Sequence, residues 1–135
     1  MELKPYLTFN GNCEEALNFY RDCLNGEIVD KQYYENSLMQ VPENYKRKIL
    51  HAKINFGNNT LYMSDIMPDN KLITGNNISL SIEMTNLNYM ETVFNKLSAN
   101  GKVTMPIQNT FWGSKYGILR DKFGINWMFN YQTKK

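Results

Sequence analysis

Histidine and cysteine are scarce in this sequence, which has one histidine and two cysteines in 135 residues. Cys13 and Cys23 fall ten positions apart, and on one helix they would stand about 15 Å apart. A disulfide bond needs Cα atoms within about 7 Å. The sequence therefore predicts two free thiols, as in a reducing cytoplasm. One histidine and two thiols also match no zinc-finger spacing.

Long apolar runs and an excess of one charge are missing as well. The N-terminal residues lack the apolar core of a signal peptide, and no run approaches the roughly eighteen residues of a membrane span. Fifteen basic residues nearly balance thirteen acidic ones, and the densest basic stretch is only 46–48. A nucleic-acid binder usually shows a basic stripe. We therefore expect a cytoplasmic protein that binds neither membranes nor nucleic acids.

Nucleotide-binding motifs are absent from the sequence too. Neither a Gly-x-Gly-x-x-Gly motif nor a phosphate-loop pattern occurs, so no glycine-rich loop is present to hold a phosphate chain with backbone amides. The sequence therefore predicts no cofactor, and the missing glycine-rich loop argues against a methyltransferase.

What the sequence does contain is one order of elements that occurs twice. Alternating apolar residues predict strands, and apolar residues at helical spacing predict helices. Each helix is predicted to begin at an asparagine paired with a glutamate three residues on, and to end at a glycine. In the first half we expect a strand at 6–9, a helix at 13–24 behind Asn12 and Glu15 that ends at Gly26, and strands at 28–34, 50–56 and 61–63. In the second half we expect a strand at 78–84, a helix at 90–97 with Asn88 and Glu91 that ends at Gly101, and strands at 103–107, 117–119 and 126–131.

This order predicts an α+β fold of two βαβββ repeats. Neither half, of about 65 residues, would bury a sufficient core alone. We therefore expect a single domain over 1–135, with repeats at about 1–67 and 76–135 and a connector at 68–75. The repeats would form cupped mixed sheets with the helices on the outside. Two unrelated α+β segments that match by chance are the alternative.

Several stretches along nearly the whole chain carry a resemblance to a known family. They are Pro5 to Asn12 leading into Glu15 to Tyr20, His51-Ala52 with Ser64-Asp65, Met105-Pro106, and Phe111-Trp112-Gly113 with Tyr116-Gly117, Asp121, Phe123-Gly124 and Trp127. With the duplicated βαβββ unit, these stretches resemble the vicinal oxygen chelate superfamily, which includes glyoxalase I, extradiol dioxygenases and antibiotic-resistance proteins. The closer resemblance is to its PhnB-like branch.

The resemblance implies a metal site that this sequence does not keep. Metal-dependent members hold a divalent ion with four side chains, usually His, Gln or Glu, from the first and last strands of each repeat. Thioethers and apolar groups are poor ligands for such ions, so we predict a metal-independent protein. The equivalent positions here are Pro5 or Tyr6, Met63 or Ser64, Asn77 and Met128, and Ile125 stands where this branch usually has a histidine.

His51 and Asp65 are the candidate catalytic residues. His51 would transfer protons near neutral pH, or else it is a half-exposed strand histidine that is hydrogen-bonded to a neighbour. Asp65 would orient His51 or bind a cationic group of a ligand, or else it caps the connector that follows. The sequence leaves both interpretations open for each residue.

The candidate ligand-binding residues have aromatic or thioether side chains. Aromatic rings line ligand pockets but also fill interfaces between subunits, and both interpretations fit Trp112 and Tyr116. Methionine fills gaps in a core by default, and an adaptable pocket wall is the alternative. The full set comprises Tyr6, Met63, Trp112, Tyr116 and Met128.

The sequence thus leads to three functional hypotheses. The favoured one is a bacterial PhnB-like protein that binds a small molecule without a metal ion or cofactor, and the resemblance implies that it is a homodimer. The second hypothesis is a lyase- or isomerase-type enzyme that uses His51 and Asp65. The third is a metal-dependent glyoxalase-like enzyme.

Overall fold

The computed structural model describes residues 1–132. The chain divides into two compact units, one from Met1 to Ile73 and one from Thr74 on. Each unit holds one α-helix and one four-stranded sheet of mixed parallel and antiparallel strands. This confirms the α+β class and the repeated βαβββ order. No helix in the described residues is long and apolar enough to cross a membrane.

The first unit pairs its first strand with its last. Its strands are β1 (Tyr6–Phe9), β2 (Glu27–Tyr33), β3 (Ile49–Phe56) and β4 (Asn59–Asp65), and its helix is α1 (Cys13–Leu24). The sheet order is β1-β4-β3-β2. Strand β1 runs parallel to β4, and the other pairs are antiparallel. The loop between β2 and β3 contains two short 3-10 turns.

The second unit repeats this arrangement. Its strands are β5 (Ser79–Met84), β6 (Lys102–Asn109), β7 (Ser114–Arg120) and β8 (Asn126–Gln132), and its helix is α2 (Leu87–Leu97). The sheet order is β5-β8-β7-β6. Strand β5 runs parallel to β8, and the other pairs are antiparallel. The closing strand is therefore parallel to the first strand in both units.

One face of each sheet packs against the helix of its own unit. The ring of Phe9 on β1 lies 6.4 Å from that of Tyr20 on α1, and Phe129 on β8 lies 5.4 Å from Phe94 on α2. Because side chains alternate between the two faces of a strand, these contacts identify the helix-facing side of each sheet. Buried residues of the two cores include Ala16, Leu17, Ala52, Ile54 and Met63 in the first unit and Met90, Val93, Leu97, Leu119 and Trp127 in the second.

Helix α1 begins at the predicted asparagine, but a different side chain caps it. Asn12 is the N-cap residue and makes no side-chain capping hydrogen bond. The amide of Cys13 instead donates to Oδ1 of Asp65 at 2.9 Å. The predicted side-chain cap by Asn12 is therefore wrong, and a buried carboxylate from β4 accepts the hydrogen bond of the first amide of the helix.

Three other predicted helix ends also differ, and after α2 the residue in the left-handed conformation is Asn100, with φ of 60°, and not Gly101. Helix α2 begins behind Asn86, whose side chain accepts a hydrogen bond from a first-turn amide, and not behind Asn88. At the end of α1, the residue in the left-handed conformation is Asn25, with φ of 54°, and not Gly26. Gly26 is needed for space, because a Cβ there would lie 2.9 Å from the carbonyl oxygen of Asn55.

Glu14 connects α1 to the edge strand β2. Its Oε2 accepts hydrogen bonds from Oη of Tyr33 at 2.8 Å and from Nζ of Lys31 at 3.1 Å. Burial alone would raise the pKa of Glu14, but the hydrogen bonds from Tyr33 and Lys31 outweigh it and lower that pKa. A carboxyl group whose pKa falls on folding stabilises the protein above its unfolded pKa, and this stabilisation is lost as the pH falls through the folded pKa.

We expect Glu14→Gln to lower the free energy of unfolding by less than about 1 kcal/mol at neutral pH. The effect is small because the Glu14 side chain is 40% exposed and solvent screens its charge. The difference in unfolding free energy between Glu14→Gln and the unchanged protein should vanish as the pH falls below the usual range of a glutamate pKa. Urea unfolding at several pH values measures it, with Glu91→Gln on the exposed surface of α2 as control. A difference that grows on acidification would contradict this assignment.

Candidate functional site

Three rings cluster on the side of the first sheet opposite α1, which we call the tyrosine face. Tyr6 and Tyr62 are partners in the parallel pairing of β1 with β4, and their rings stack 6.1 Å apart. The imidazole of His51 on β3 lies 5.9 Å from the Tyr6 ring and 5.8 Å from the Tyr62 ring. Tyr6 is 49% exposed, so the cluster is an aromatic surface with a polar rim.

His51 connects two polar groups on this face. Oη of Tyr6 lies 3.1 Å from Nδ1 of His51, at hydrogen-bond distance. On the other side of the ring, Nε2 lies 3.9 Å from Oδ2 of Asp30. The amide of Gln32 contacts both carboxylate oxygens of Asp30 at 3.4 Å. The imidazole therefore lies between a phenol and a carboxylate.

Two lysines flank the same aromatic surface. Nζ of Lys4 lies 5.2 Å from the centroid of the Tyr62 ring, and Nζ of Lys53 lies 5.8 Å from it. A hydrogen bond with Tyr62, followed by the charge of Glu2, raises the pKa of Lys4. Both cations can therefore contribute positive potential beside the rings.

Asp65 has a structural role on the opposite side of the sheet. It is 2% exposed. Its Oδ1 accepts hydrogen bonds from the amides of Gly11 and Cys13 at 2.9 Å each, and its Oδ2 accepts one from the amide of Ile49 at 2.8 Å. The structure therefore does not bring the carboxylate of Asp65 to His51. Neither predicted role matches this geometry, because the carboxylate binds backbone amides before α1 and β3 and not the connector that follows β4.

The predicted ligand-binding residues of the first unit fall on different faces. Tyr6 lies on the tyrosine face, whereas Met63 pairs with Leu7 and is fully buried on the side of α1. Adjacent strand residues point to opposite faces, so Met63 and its neighbour Tyr62 are separated by the sheet. Met63 thus has the position of a core residue.

The predicted residues of the second unit come together on one side of its sheet. Tyr116 on β7 pairs with Asn130, two residues beyond Met128 on β8, so Tyr116 and Met128 share the face opposite α2. The rings of Trp112 and Tyr116 lie 6.1 Å apart. Phe111, 96% exposed, lies 5.0 Å from Trp112, which is 55% exposed. The hairpin between β6 and β7 therefore ends in two exposed aromatic rings.

The residues at the superfamily's metal-ligand positions do not fit a divalent ion. Among residues 1–132, no three His, Cys, Asp or Glu side chains come together as a metal site would require. Among the metal-ligand positions, Tyr6 has a phenol that is hydrogen-bonded to His51, and Met63, which is fully buried, and Met128 have thioethers, which are poor donors for such an ion. Asn77 adds only one amide oxygen. Burial, followed by the nearby charge of Asp65, raises the pKa of Cys13, which keeps it a neutral thiol. The metal-dependent hypothesis therefore has no support in this donor set.

Four further residues of the tyrosine face were not among the predicted site residues. Lys53 follows His51 by two residues on β3, so the alternation of strand residues already predicts that the two side chains share one face. The positions of Asp30 and Tyr62 depend on which strands become neighbours, and Lys4 precedes β1. No local pattern marks those three.

The chain is similar to known proteins over nearly its full length. A family model described as 3-demethylubiquinone-9 3-methyltransferase matches residues 1–129. Protein YjdN of Escherichia coli K12 is 34% identical, over 96% of this chain and 95% of that protein. The crystal structure of PA1353 from Pseudomonas aeruginosa is 34% identical with a TM-score of 0.89, over 99% of both chains. The PhnB protein from Bacillus cereus is 28% identical with a TM-score of 0.78, over 97% of this chain and 99% of that one.

A more distant structure shows the same fold. A glyoxylase/bleomycin resistance protein/dioxygenase domain from Frankia sp. EAN1pec has a TM-score of 0.68 at 11% identity, over 98% of this chain and 91% of that one. Together with the two sheets and their parallel closing strands, this likeness shows that the chain has the fold of that domain. The PhnB-like resemblance is therefore confirmed, and the chain belongs to the family described as 3-demethylubiquinone-9 3-methyltransferase, with the fold predicted for the vicinal oxygen chelate superfamily.

Proposed function

We propose that the tyrosine face binds a small, partly apolar molecule without the help of a metal ion. The observation that carries this proposal is the cluster of Tyr6, His51 and Tyr62, whose rings lie within 6.1 Å of one another beside two lysines. Apolar rings with a few polar groups aimed at one place are the usual composition of a small-molecule site. The methyl transfer in the family's description is not part of the proposal, because the sequence has no glycine-rich cofactor loop.

A panel of small aromatic compounds tests this proposal. The protein has one histidine, so the His51 ring gives a single set of imidazole signals in an NMR spectrum. We expect compounds that bind to shift these signals, and we expect Tyr62→Ala to weaken their binding about tenfold through the loss of ring contact. Tyr89→Ala, at an exposed position of α2, is the matched control. Equal binding to both variants would contradict the proposal.

An acid–base enzyme of the lyase or isomerase type is the second candidate. It is favoured by the contact between Oη of Tyr6 and Nδ1 of His51, because a positioned acid–base group contributes about 10²–10⁴-fold to a rate. The carboxylate that faces the imidazole in such an enzyme would be Asp30 and not Asp65, which the sequence suggests.

We also propose that the protein is a homodimer and that the exposed rings of Phe111 and Trp112 contact the second copy. Paired exposed aromatic side chains favour an interface, because aromatic residues are enriched at the centres of such contacts. A cytoplasmic location fits Cys13 and Cys23, two buried cysteines that are not joined by a disulfide bond.

Trp112→Ala should shift a dimer towards monomer by about tenfold or more in dissociation constant, since tryptophan is a frequent energetic centre of interfaces. Sedimentation velocity across a concentration series measures the shift. Tyr89→Ala, which removes an exposed ring elsewhere in the second unit, is the control. An unchanged concentration dependence in Trp112→Ala would contradict the role of this hairpin.

A further inference from the structure

We infer that Tyr6 and His51, with the charge of Asp30 beside them, form a proton relay that lets the tyrosine face bind a weakly acidic hydroxyl compound, such as a phenol or an enol, as its anion. The inference rests on the proposed function, because it names the ligand class of the same site. Its geometric basis is two neighbouring contacts on this face. Oη of Tyr6 lies 3.1 Å from Nδ1 of His51, and Nε2 of His51 lies 3.9 Å from the carboxylate of Asp30.

The direction of the relay follows from the charge of Asp30. A carboxylate beside Nε2 favours the tautomer that carries its proton on that nitrogen, because the N–H then points towards negative charge. Nδ1 is left as an acceptor, so Tyr6 donates its hydroxyl proton to His51. Because Tyr6 is half-exposed on this face, its oxygen can then accept a hydrogen bond from the hydroxyl of a ligand.

Proton transfer along this arrangement is balanced. The ligand hydroxyl gives its proton to Oη of Tyr6, and Tyr6 gives its own proton to Nδ1 of His51. The products are a ligand oxyanion, a neutral phenol that now donates to it, and an imidazolium beside the carboxylate of Asp30. No proton is exchanged with solvent, and no other reactant takes part.

The surroundings favour the products of this transfer. The titratable and charged groups that face His51 are Tyr6 from β1, Asp30 from β2, Lys53 from β3 and Tyr62 from β4, with Lys4 just before β1. Asp30 stabilises the imidazolium, and the lysines beside Tyr62 stabilise the ligand oxyanion. Hydrogen bonds to charged groups contribute about twice as much as those between neutral groups.

A phenol and its methyl ether test the relay separately from the site. The probes are 4-nitrophenol, whose anion absorbs visible light, and 4-nitroanisole, which has the same ring without the acidic proton. At a pH below the ionisation range of free 4-nitrophenol, we expect the protein to bind it as the coloured anion. We also expect its affinity to exceed that of 4-nitroanisole by about tenfold or more.

Three variants remove parts of the relay and keep the ring surface. Tyr6→Phe and His51→Phe should abolish both the colour change and the preference for the phenol, while 4-nitroanisole binds nearly as before. Asp30→Asn should reduce the preference by about threefold or more, because the imidazolium loses its facing charge. Asp69→Asn, at an exposed position, is the control and should leave both probes unaffected.

The outcomes separate this inference from the proposed function. Binding of 4-nitrophenol as the neutral phenol, or a preference that survives in His51→Phe, would overturn the relay. Equal affinity of the unchanged protein for both probes, with the His51 signals shifted by each, would also overturn the relay and leave the small-molecule site standing. If neither probe shifts the signals of His51, both proposals fail for aromatic ligands of this class.

Discussion

Asp65→Ala is expected to lower the free energy of unfolding by about 3–5 kcal/mol. The carboxylate of Asp65 accepts hydrogen bonds from three backbone amides, those of Gly11, Cys13 and Ile49. Alanine would leave these donors without their acceptor in a place where Asp65 itself is 2% exposed. A typical domain is stable by only about 5–15 kcal/mol, so the variant would lose a large part of its stability.

The effect should extend over three elements of the first unit. Gly11 lies just before α1, Cys13 begins α1, Ile49 begins β3, and Asp65 ends β4. The backbone oxygen of Asp65 also accepts a hydrogen bond from Oη of Tyr34 at 2.9 Å, and alanine at position 65 would keep that bond. The expected loss therefore comes from the carboxylate alone.

Urea unfolding followed by circular dichroism measures this prediction. Asp69→Ala, four residues further on and exposed, is the matched control and should change the unfolding free energy by less than about 0.5 kcal/mol. Asp65→Asn keeps one acceptor oxygen, so we expect an intermediate loss. An Asp65→Ala protein as stable as the Asp69→Ala control would show that the carboxylate is not a structural acceptor.

Gly101→Ala is expected to cost about 3 kcal/mol, because the backbone of the neighbouring strand comes too close. Gly101 immediately precedes β6, and a Cβ there would lie 2.4 Å from the carbonyl oxygen of Arg120 and 3.0 Å from the Cα of Asp121. These are backbone atoms, which cannot turn aside as the end of a flexible side chain can. Relief would require the edge strand β6 to move away from β7.

Gly75→Ala is the matched control for this substitution. A Cβ at that position meets only the side-chain oxygen of Asn77 at 3.5 Å, an ordinary contact. The substitution should be neutral or should stabilise by about 0.4–1 kcal/mol through the smaller entropy of the unfolded chain. Thermal unfolding of both variants compares them, and a Gly101→Ala protein as stable as Gly75→Ala would refute the packing argument.

In the second unit, local sequence patterns predict the elements well but not their exact ends. The alternation from residue 78 to 84 placed β5 within one residue of its observed start. The spacing predicts that α2 begins at Asn88, whereas the helix begins behind Asn86, because several asparagines nearby are all acceptable caps. Periodicity identifies an element, and the choice among equivalent caps depends on how the chain enters the helix.

Some residues of the candidate site can be predicted from local sequence, and others cannot. The single histidine and its position on the polar side of a strand were readable from the sequence, and Tyr6 was selected through the family resemblance. Asp30 was missed because it acts on His51 from a different strand, 21 residues earlier in the chain. The sequence leaves two roles open for Asp65, because a carboxylate at the end of a strand has the same local sequence whether it binds a ligand or caps a backbone segment.

The sequence by itself determined the elements, their repeated order and the faces on which alternating residues lie, because these depend on the local spacing of apolar side chains. Only the tertiary structure decided which residues meet. The parallel pairing of β1 with β4 brings Tyr6 beside Tyr62, 56 residues later. The pairing of β2 with β3 brings Asp30 to His51, and the closure of β4 against α1 turns Asp65 into a cap. Which strands become neighbours depends on how the whole apolar face of the sheet is buried against the helix. This burial involves residues far apart in the chain, so no short stretch of sequence specifies it.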